Sequence, residues 1–131
     1  MRDLAFTVVG RPATQGSKVR TRFGMRESST TLEPWREAVR HEARLAMGDR
    51  EAMVGPLRVS LSFKLARAKS NRATWPIGQR SGDVDKLARA VLDALTQADV
   101  WGDDAQVVDL RVHKSFGDRP SALITVTEVV E

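Results

Sequence analysis

Between residues 57 and 66 the chain alternates without a break. Leu57, Val59, Leu61, Phe63 and Leu65 take the odd positions, and Arg58, Ser60, Ser62 and Lys64 the even ones. A side-chain period of two puts the two sets on opposite faces of a strand. One face must enter a core; the other stays wet or meets a ligand. Such a strand needs partner strands and a layer over its apolar face.

The flanking segments supply both. Residues 4–9 form a strand pattern with Leu4, Phe6 and Val8 on one face, stopped by Gly10, Pro12 and Gly16. A short extended piece is expected around 19–23. Residues 28–31 offer helix caps, and Pro34 suits a first helical turn because its missing N–H costs nothing there. The spacing predicts a helix over about 33–47 that buries Trp35, Val39, Ala43 and Ala46. Arg36, Arg40 and Arg44 on the far side read as a solvated face rather than a phosphate track. A second helix is predicted over 86–98, capped by Asp85, with a stripe of Leu87, Val91, Leu92 and Leu95. Asp85–Arg89 and Arg89–Asp93 are spaced for i, i+4 pairing. Residues 106–116 alternate again, with Val108, Leu110, Val112 and Phe116 on one side. After a turn at 117–120, residues 122–130 read as the antiparallel hairpin partner. The order β-α-β-α-β-β predicts an α+β fold: a single mixed sheet with two helices packed on it, as one domain over residues 1–131.

Composition narrows the chemistry. The chain has no cysteine, so disulfides and thiolate metal sites are excluded. No apolar run reaches the roughly 20 residues of a membrane span. The first residues lack the layout of a signal peptide. A soluble cytoplasmic protein with no membrane partner is expected. The net charge is +4, with an isoelectric point near 10.1. The excess is concentrated. Arg11, Lys18, Arg20, Arg22 and Arg26 fall in a stretch without an acid, and so do Arg58, Lys64, Arg67, Lys69, Arg72 and Arg80. Such arms attract a polyanion. Residues 67–82 form a long aperiodic loop of the kind that usually carries function. Trp75 within it is read as a core anchor in preference to a platform for an unpaired base.

Between the arms lies an acidic island. Residues 83–114 hold seven of the chain's 17 acidic residues. Asp83 and Asp85 precede the second helix, and Asp103 and Asp104 follow it. Each has an ordinary reading as a cap, a turn former or a surface ion-pair partner. Converging carboxylates, however, repel by about 4 kcal/mol per pair at 4 Å and an effective dielectric of 20. They must take up protons, find basic partners or bind a cation. Oxygen-only ligands favour a hard ion, Mg²⁺ or Mn²⁺, which can activate water for attack at phosphorus. His41 and His113 are too isolated for histidine-based chemistry.

Taken whole, Asp83-Val-Asp85-Lys86-Leu-Ala-Arg89-Ala-Val-Leu-Asp93-Ala-Leu, then Trp101-Gly-Asp103-Asp104-Ala-Gln-Val, resembles the RusA family of Holliday junction resolvases. The following strand also reaches a lysine, Lys114, and residues 10–18 look like the first loop of phage members. The resemblance implies a homodimeric, Mg²⁺-dependent endonuclease that cuts four-way DNA junctions by paired symmetric nicks. It implies metal carboxylates at Asp83, Asp85 and Asp104, with Asp103 either binding metal or bracing Asp104. The family lysine falls at Arg89 and the family asparagine at Lys86; both are taken as catalytic candidates. Lys18, Arg20, Arg22, Lys69, Arg72, Arg80 and Lys114 are the expected DNA contacts. The two departures motivate an alternative, a catalytically weakened, structure-selective DNA-binding protein.

Overall fold

The computed structural model describes residues 2–16, 18–21, 24–27 and 30–130, with 18–21 and 24–27 described through their backbone alone. The elements are β1 (Asp3–Val9), β2 (Lys18–Thr21), β3 (Gly24–Glu27), α1 (Leu32–Met47), β4 (Leu57–Leu65), α2 (Val84–Gln97), β5 (Val107–Phe116) and β6 (Ser121–Glu128). Four strands form one mixed sheet in the order β1-β6-β4-β5, and β2 and β3 form a separate antiparallel ribbon. The α+β class and the two covering helices are as the pattern predicts. Among the described residues no helix is long and apolar enough to cross a membrane.

The alternating strand 57–65 lies inside the sheet. It runs antiparallel to β6 and parallel to β5. The predicted β5–β6 hairpin is therefore corrected, since β4 lies between the two strands. Parallel partners need a long crossover, and α2 with its flanking loops supplies it. On the covered face, Leu57, Val59, Leu61 and Phe63 of β4 meet Ile124 and Val126 of β6, all fully buried. On the other face Arg58 pairs with Asp109 of β5 at 2.8 Å, and Lys64 donates to Ser115 at 2.8 Å.

Both helices lie on the covered face and pack against each other. α1 buries Leu32, Trp35, Val39, Ala43 and Met47, one residue per turn or so along a single stripe. Ala46, expected inside, is only partly buried. Arg40 is no phosphate contact. Its guanidinium, 12% exposed, is held by Glu33, Glu37 and Gln97, which ties α1 to the end of α2. α2 starts two residues earlier than predicted. Asp83, with extended backbone, is the capping position, and the Leu87 N–H already bonds the Asp83 carbonyl at 2.9 Å. Asp85 thus sits inside the first turn, where the helix dipole favours a carboxylate.

β5 is one of the sheet's two edge strands, and α2 does not cover all of it. Val108 and Leu110 remain 64% and 42% exposed. Trp75 is also corrected: it is 58% exposed, and Pro76 beside it is the buried residue of that loop.

The return from α2 to β5 is pinned by Trp101. Its ring is fully buried, its indole N–H donates to Thr96 Oγ1 at 2.8 Å, and its backbone bridges Met53. Removing a buried indole here leaves a large cavity under the segment that leads to Asp103 and Asp104. Trp101→Ala is expected to cost about 3–5 kcal/mol, measured as a fall in the urea midpoint at unchanged m-value. A loss under about 1 kcal/mol would show that the pin is not structural.

Candidate active site

Two ends of one crossover meet at the site. α2 brings Asp85 from its first turn and Arg89 one turn on. The segment before β5 brings Asp104. These three line one open cavity of about 480 Å³, floored by Ala88 and Leu92 of α2 and by Leu110 and Val112 of β5. The uncovered edge of β5 is thus the apolar wall of a polar site.

Asp103 and Asp104 are held by a short local framework. Asp103 caps one turn of 3-10 helix, with its side chain accepting from the Ala105 N–H at 2.9 Å. Gln106 answers it. Its Oε1 accepts from the backbone N–H groups of Gly102 and Asp103, and its amide donates to the carbonyls of Met53 and Gly55 at 3.1 Å. Asp103 therefore braces the turn, while Asp104 faces the cavity. Partial burial, then the charges of Asp103 and Asp93 and a hydrogen bond with Asp103, raises the Asp104 carboxyl above its ordinary pKa.

Asp83 is placed differently. It does not line the cavity; it is 71% exposed and stands 3.8 Å from the Lys86 ammonium. Lys86 is thus paired with Asp83, and Arg89 is the cation of the cavity. The expected Asp85–Arg89 and Arg89–Asp93 pairs are not formed among the described residues. Asp93 instead accepts from the side-chain amide of Gln15, and Arg89 lies over Gly16.

Among the expected DNA contacts, Lys69, Arg72 and Arg80 are exposed on the loop between β4 and α2. Arg80 and Arg11 share a second groove of about 690 Å³ beside that loop. Lys114 turns inward, donating to Ser81 Oγ and the Gly82 carbonyl at 2.7 Å each, so it braces the loop just before Asp83. Arg22 and the side chains of Lys18 and Arg20 lie outside the described residues.

Sequence patterns assign a role to neither Gln15 nor Gln106, although both fall within the stretches that carry the family resemblance. Gln15 acts on a residue 78 positions away, and local periodicity carries no signal of that. Gln106 did leave one: a glutamine three residues after an aspartate cap is a capping-box spacing.

Among the described residues, no three His, Cys, Asp or Glu side chains form a ready-made metal cage. Asp85 and Asp104 nevertheless suit Mg²⁺. That ion is commonly held by one or two carboxylates, with water and substrate phosphate completing its shell. The Asp104 carboxyl is raised by partial burial and by the neighbouring negative charges of Asp103 and Asp93.

The chain matches the family described as Endodeoxyribonuclease RusA over residues 7–127. Curated relatives include the crossover junction endodeoxyribonuclease RusA of Escherichia coli (strain K12), of Shigella sonnei (strain Ss046) and of Enterobacteria phage 82. Each is 48% identical over 52 residues, 39% of this chain. The match spans 43% of each relative, less than half its length.

The raised Asp104 carboxyl has a signed consequence. A carboxyl whose pKa is higher in the folded state favours folding when protonated. Its contribution is full below the unfolded value of about 3.9 and is lost as pH rises through the folded value. Asp104→Asn, which fixes a neutral side chain, should therefore unfold at a higher temperature than the parent at pH 7 in EDTA. The gap should close on acidification. A parent as stable as the variant at pH 7 would contradict this placement of Asp104.

Proposed function

The chain belongs to the RusA endodeoxyribonuclease family, and from that premise we propose that it is a structure-selective endodeoxyribonuclease. In this reading it resolves four-way DNA junctions by paired symmetric nicks, with Mg²⁺ as cofactor and Mn²⁺ as its substitute. The observation that carries the reading is the shared cavity of Asp85, Arg89 and Asp104. Divalent-metal dependence is general among nucleases of this family. When bound, the cation supplies charge neutralisation at the phosphate and a water acidic enough to serve as nucleophile.

The chain's own residues have distinct parts. Asp85 and Asp104 would hold the cation, Asp83 would add a further carboxylate, and Asp103 braces the turn that carries Asp104. Arg89 donates to a phosphate oxygen. A guanidinium stays charged at any working pH, so Arg89 stabilises charge and does not deliver a proton. Lys86 offsets Asp83. Lys69, Arg72 and Arg80, together with Lys18, Arg20 and Arg22, draw in the DNA backbone. Lys114 spends two of its three N–H groups on the loop and keeps the third for a phosphate. A four-way junction has approximate two-fold symmetry, and two matched nicks call for two sites at fixed separation. A homodimer supplies them.

A second reading is favoured by the arginine at position 89 and by the Lys86–Asp83 pairing: a junction-binding protein with weakened catalysis. One experiment separates the two. A labelled synthetic four-way junction and a linear duplex are incubated with the protein at low salt, in Mg²⁺, in Mn²⁺ or in EDTA. Symmetric nicks near the crossover, with metal only and in the junction only, are expected. Asp85→Asn and Asp104→Asn should each slow cutting by about a hundredfold or more, on the order of 3 kcal/mol of barrier, while binding in gel shift persists. Binding without nicks in either metal supports the second reading. Undiminished cutting by either variant removes that carboxylate from the site.

A further inference from the structure

After β1 the chain turns back across α2, and residues 14–16 lie along one of its faces. Two bonds fasten them. The backbone N–H of Gln15 donates to the Lys86 carbonyl at 3.0 Å, and its side-chain amide donates to the Asp93 carboxylate. Thr14 closes the near end. Its Cγ2 fills the space above Gly82, where a Cβ would stand only 2.6 Å from it. Lys86, Arg89 and Asp93 are spaced i, i+3 and i+7, so the turn covers about two turns of helix on a single face. Between the two fastenings lies Gly16, at φ +100°. A Cβ there would stand 2.7 Å from Arg89 Nη1 and 3.5 Å from its Cζ. The guanidinium therefore rests directly on the Gly16 backbone.

We propose that Gln15 and Gly16 are positioning residues for Arg89: Gln15 fastens the turn to α2, and the bare backbone at Gly16 forms the seat that aims the guanidinium into the Asp85–Asp104 cavity. The proposal rests on the nuclease reading for its consequence in catalysis, but the seat itself does not. An arginine side chain has many rotamers, and ordering it costs conformational entropy. Among the described residues no carboxylate pairs with Arg89 to select one of them. Packing against a fixed backbone does so without neutralising the charge. The arginine in place of the family lysine makes the fit stricter, because a planar fork needs more room than an ammonium.

The test is a double-mutant cycle of Gly16→Ala and Arg89→Lys. Two quantities are read on all four proteins: cleavage of the synthetic junction in Mg²⁺, with the junction Kd alongside, and the thermal unfolding midpoint in EDTA. Gly16→Ala should lower the cleavage rate about tenfold to a hundredfold in the parent, with Kd changed by less than about threefold. In the Arg89→Lys background, where the Nη atoms are gone, the same change should cost no more than about twofold. Strain at φ +100° would weigh equally on both backgrounds, so equal losses in both would overturn the seat. The unfolding midpoint should follow the same pattern, falling further in the parent than in Arg89→Lys. If the parent cuts no junction, that midpoint comparison still decides the seat while the nuclease reading fails on its own. Gln15→Ala introduces no backbone strain and guards against a Gly16 variant that does not fold. It should slow cleavage about tenfold at unchanged Kd and lower the midpoint, and a variant identical to the parent in both would overturn the fastening role.

Discussion

Everything at the site depends on β4 and β5 being parallel neighbours. Antiparallel strands could be joined by a tight turn, but parallel ones cannot, so the chain must travel back over the sheet between them. α2 makes that return, starting next to Asp85 and ending at the Trp101 pin. One crossover thus delivers a carboxylate from a helix start and another from a strand entrance. Neither would reach the other along a straight helix, whose ends lie about 20 Å apart. The cavity forms because Asp104, in the turn that enters β5, faces the same opening as Asp85 and Arg89 of α2.

The same geometry explains the exposed edge. Val108 and Leu110 would be covered in a sheet whose last strand lay fully under a helix. Here α2 packs beside α1 and against β5, burying Leu87, Val91 and Leu95 without closing over Val108 and Leu110. The helix-side flank of β5 is left open, and its apolar residues become a wall of the cavity. A carboxylate beside apolar surface loses hydration, and desolvation is the first cause of the Asp104 shift. The packing that leaves this flank open and the upward shift of the Asp104 carboxyl therefore have one source.

Much of this was legible in the residues. The alternation at 57–65 announced the central strand, the 3.6-residue stripe at Leu87, Val91 and Leu95 announced α2, and the acidic clustering announced the site. What could not be read was pairing across distance. Residues 106–116 and 122–130 look like a hairpin because a short turn joins them, and nothing local reveals that β4 inserts between them. Trp75 resembled an anchor because loop tryptophans often bury, yet Pro76 took that place. Asp83 and Asp85 looked equivalent by spacing. The start of α2 falls between them, so one lies at the helix start facing Lys86 and the other inside the first turn facing the cavity. Gln15 gave no local sign of its role, since its partners are on α2, more than 70 residues away.

The way the cations are held bears on what the cavity can bind. Among the described cations near the acidic island, Lys86 is engaged by Asp83, Arg58 by Asp109, and Lys114 by the Ser81 hydroxyl and the Gly82 carbonyl. Among the described residues Arg89 is the cation that lines the cavity, and it rests on backbone rather than on a carboxylate. Had it paired with Asp85 or Asp104, the pair would be neutral and a divalent ion would have to break it before binding. Gln15 removes the other trap by occupying Asp93 with a neutral donor, which leaves that carboxylate's charge in place near Asp104. The site thus keeps both its negative charge and an unspent guanidinium, the two things that a metal ion and a phosphate would each require.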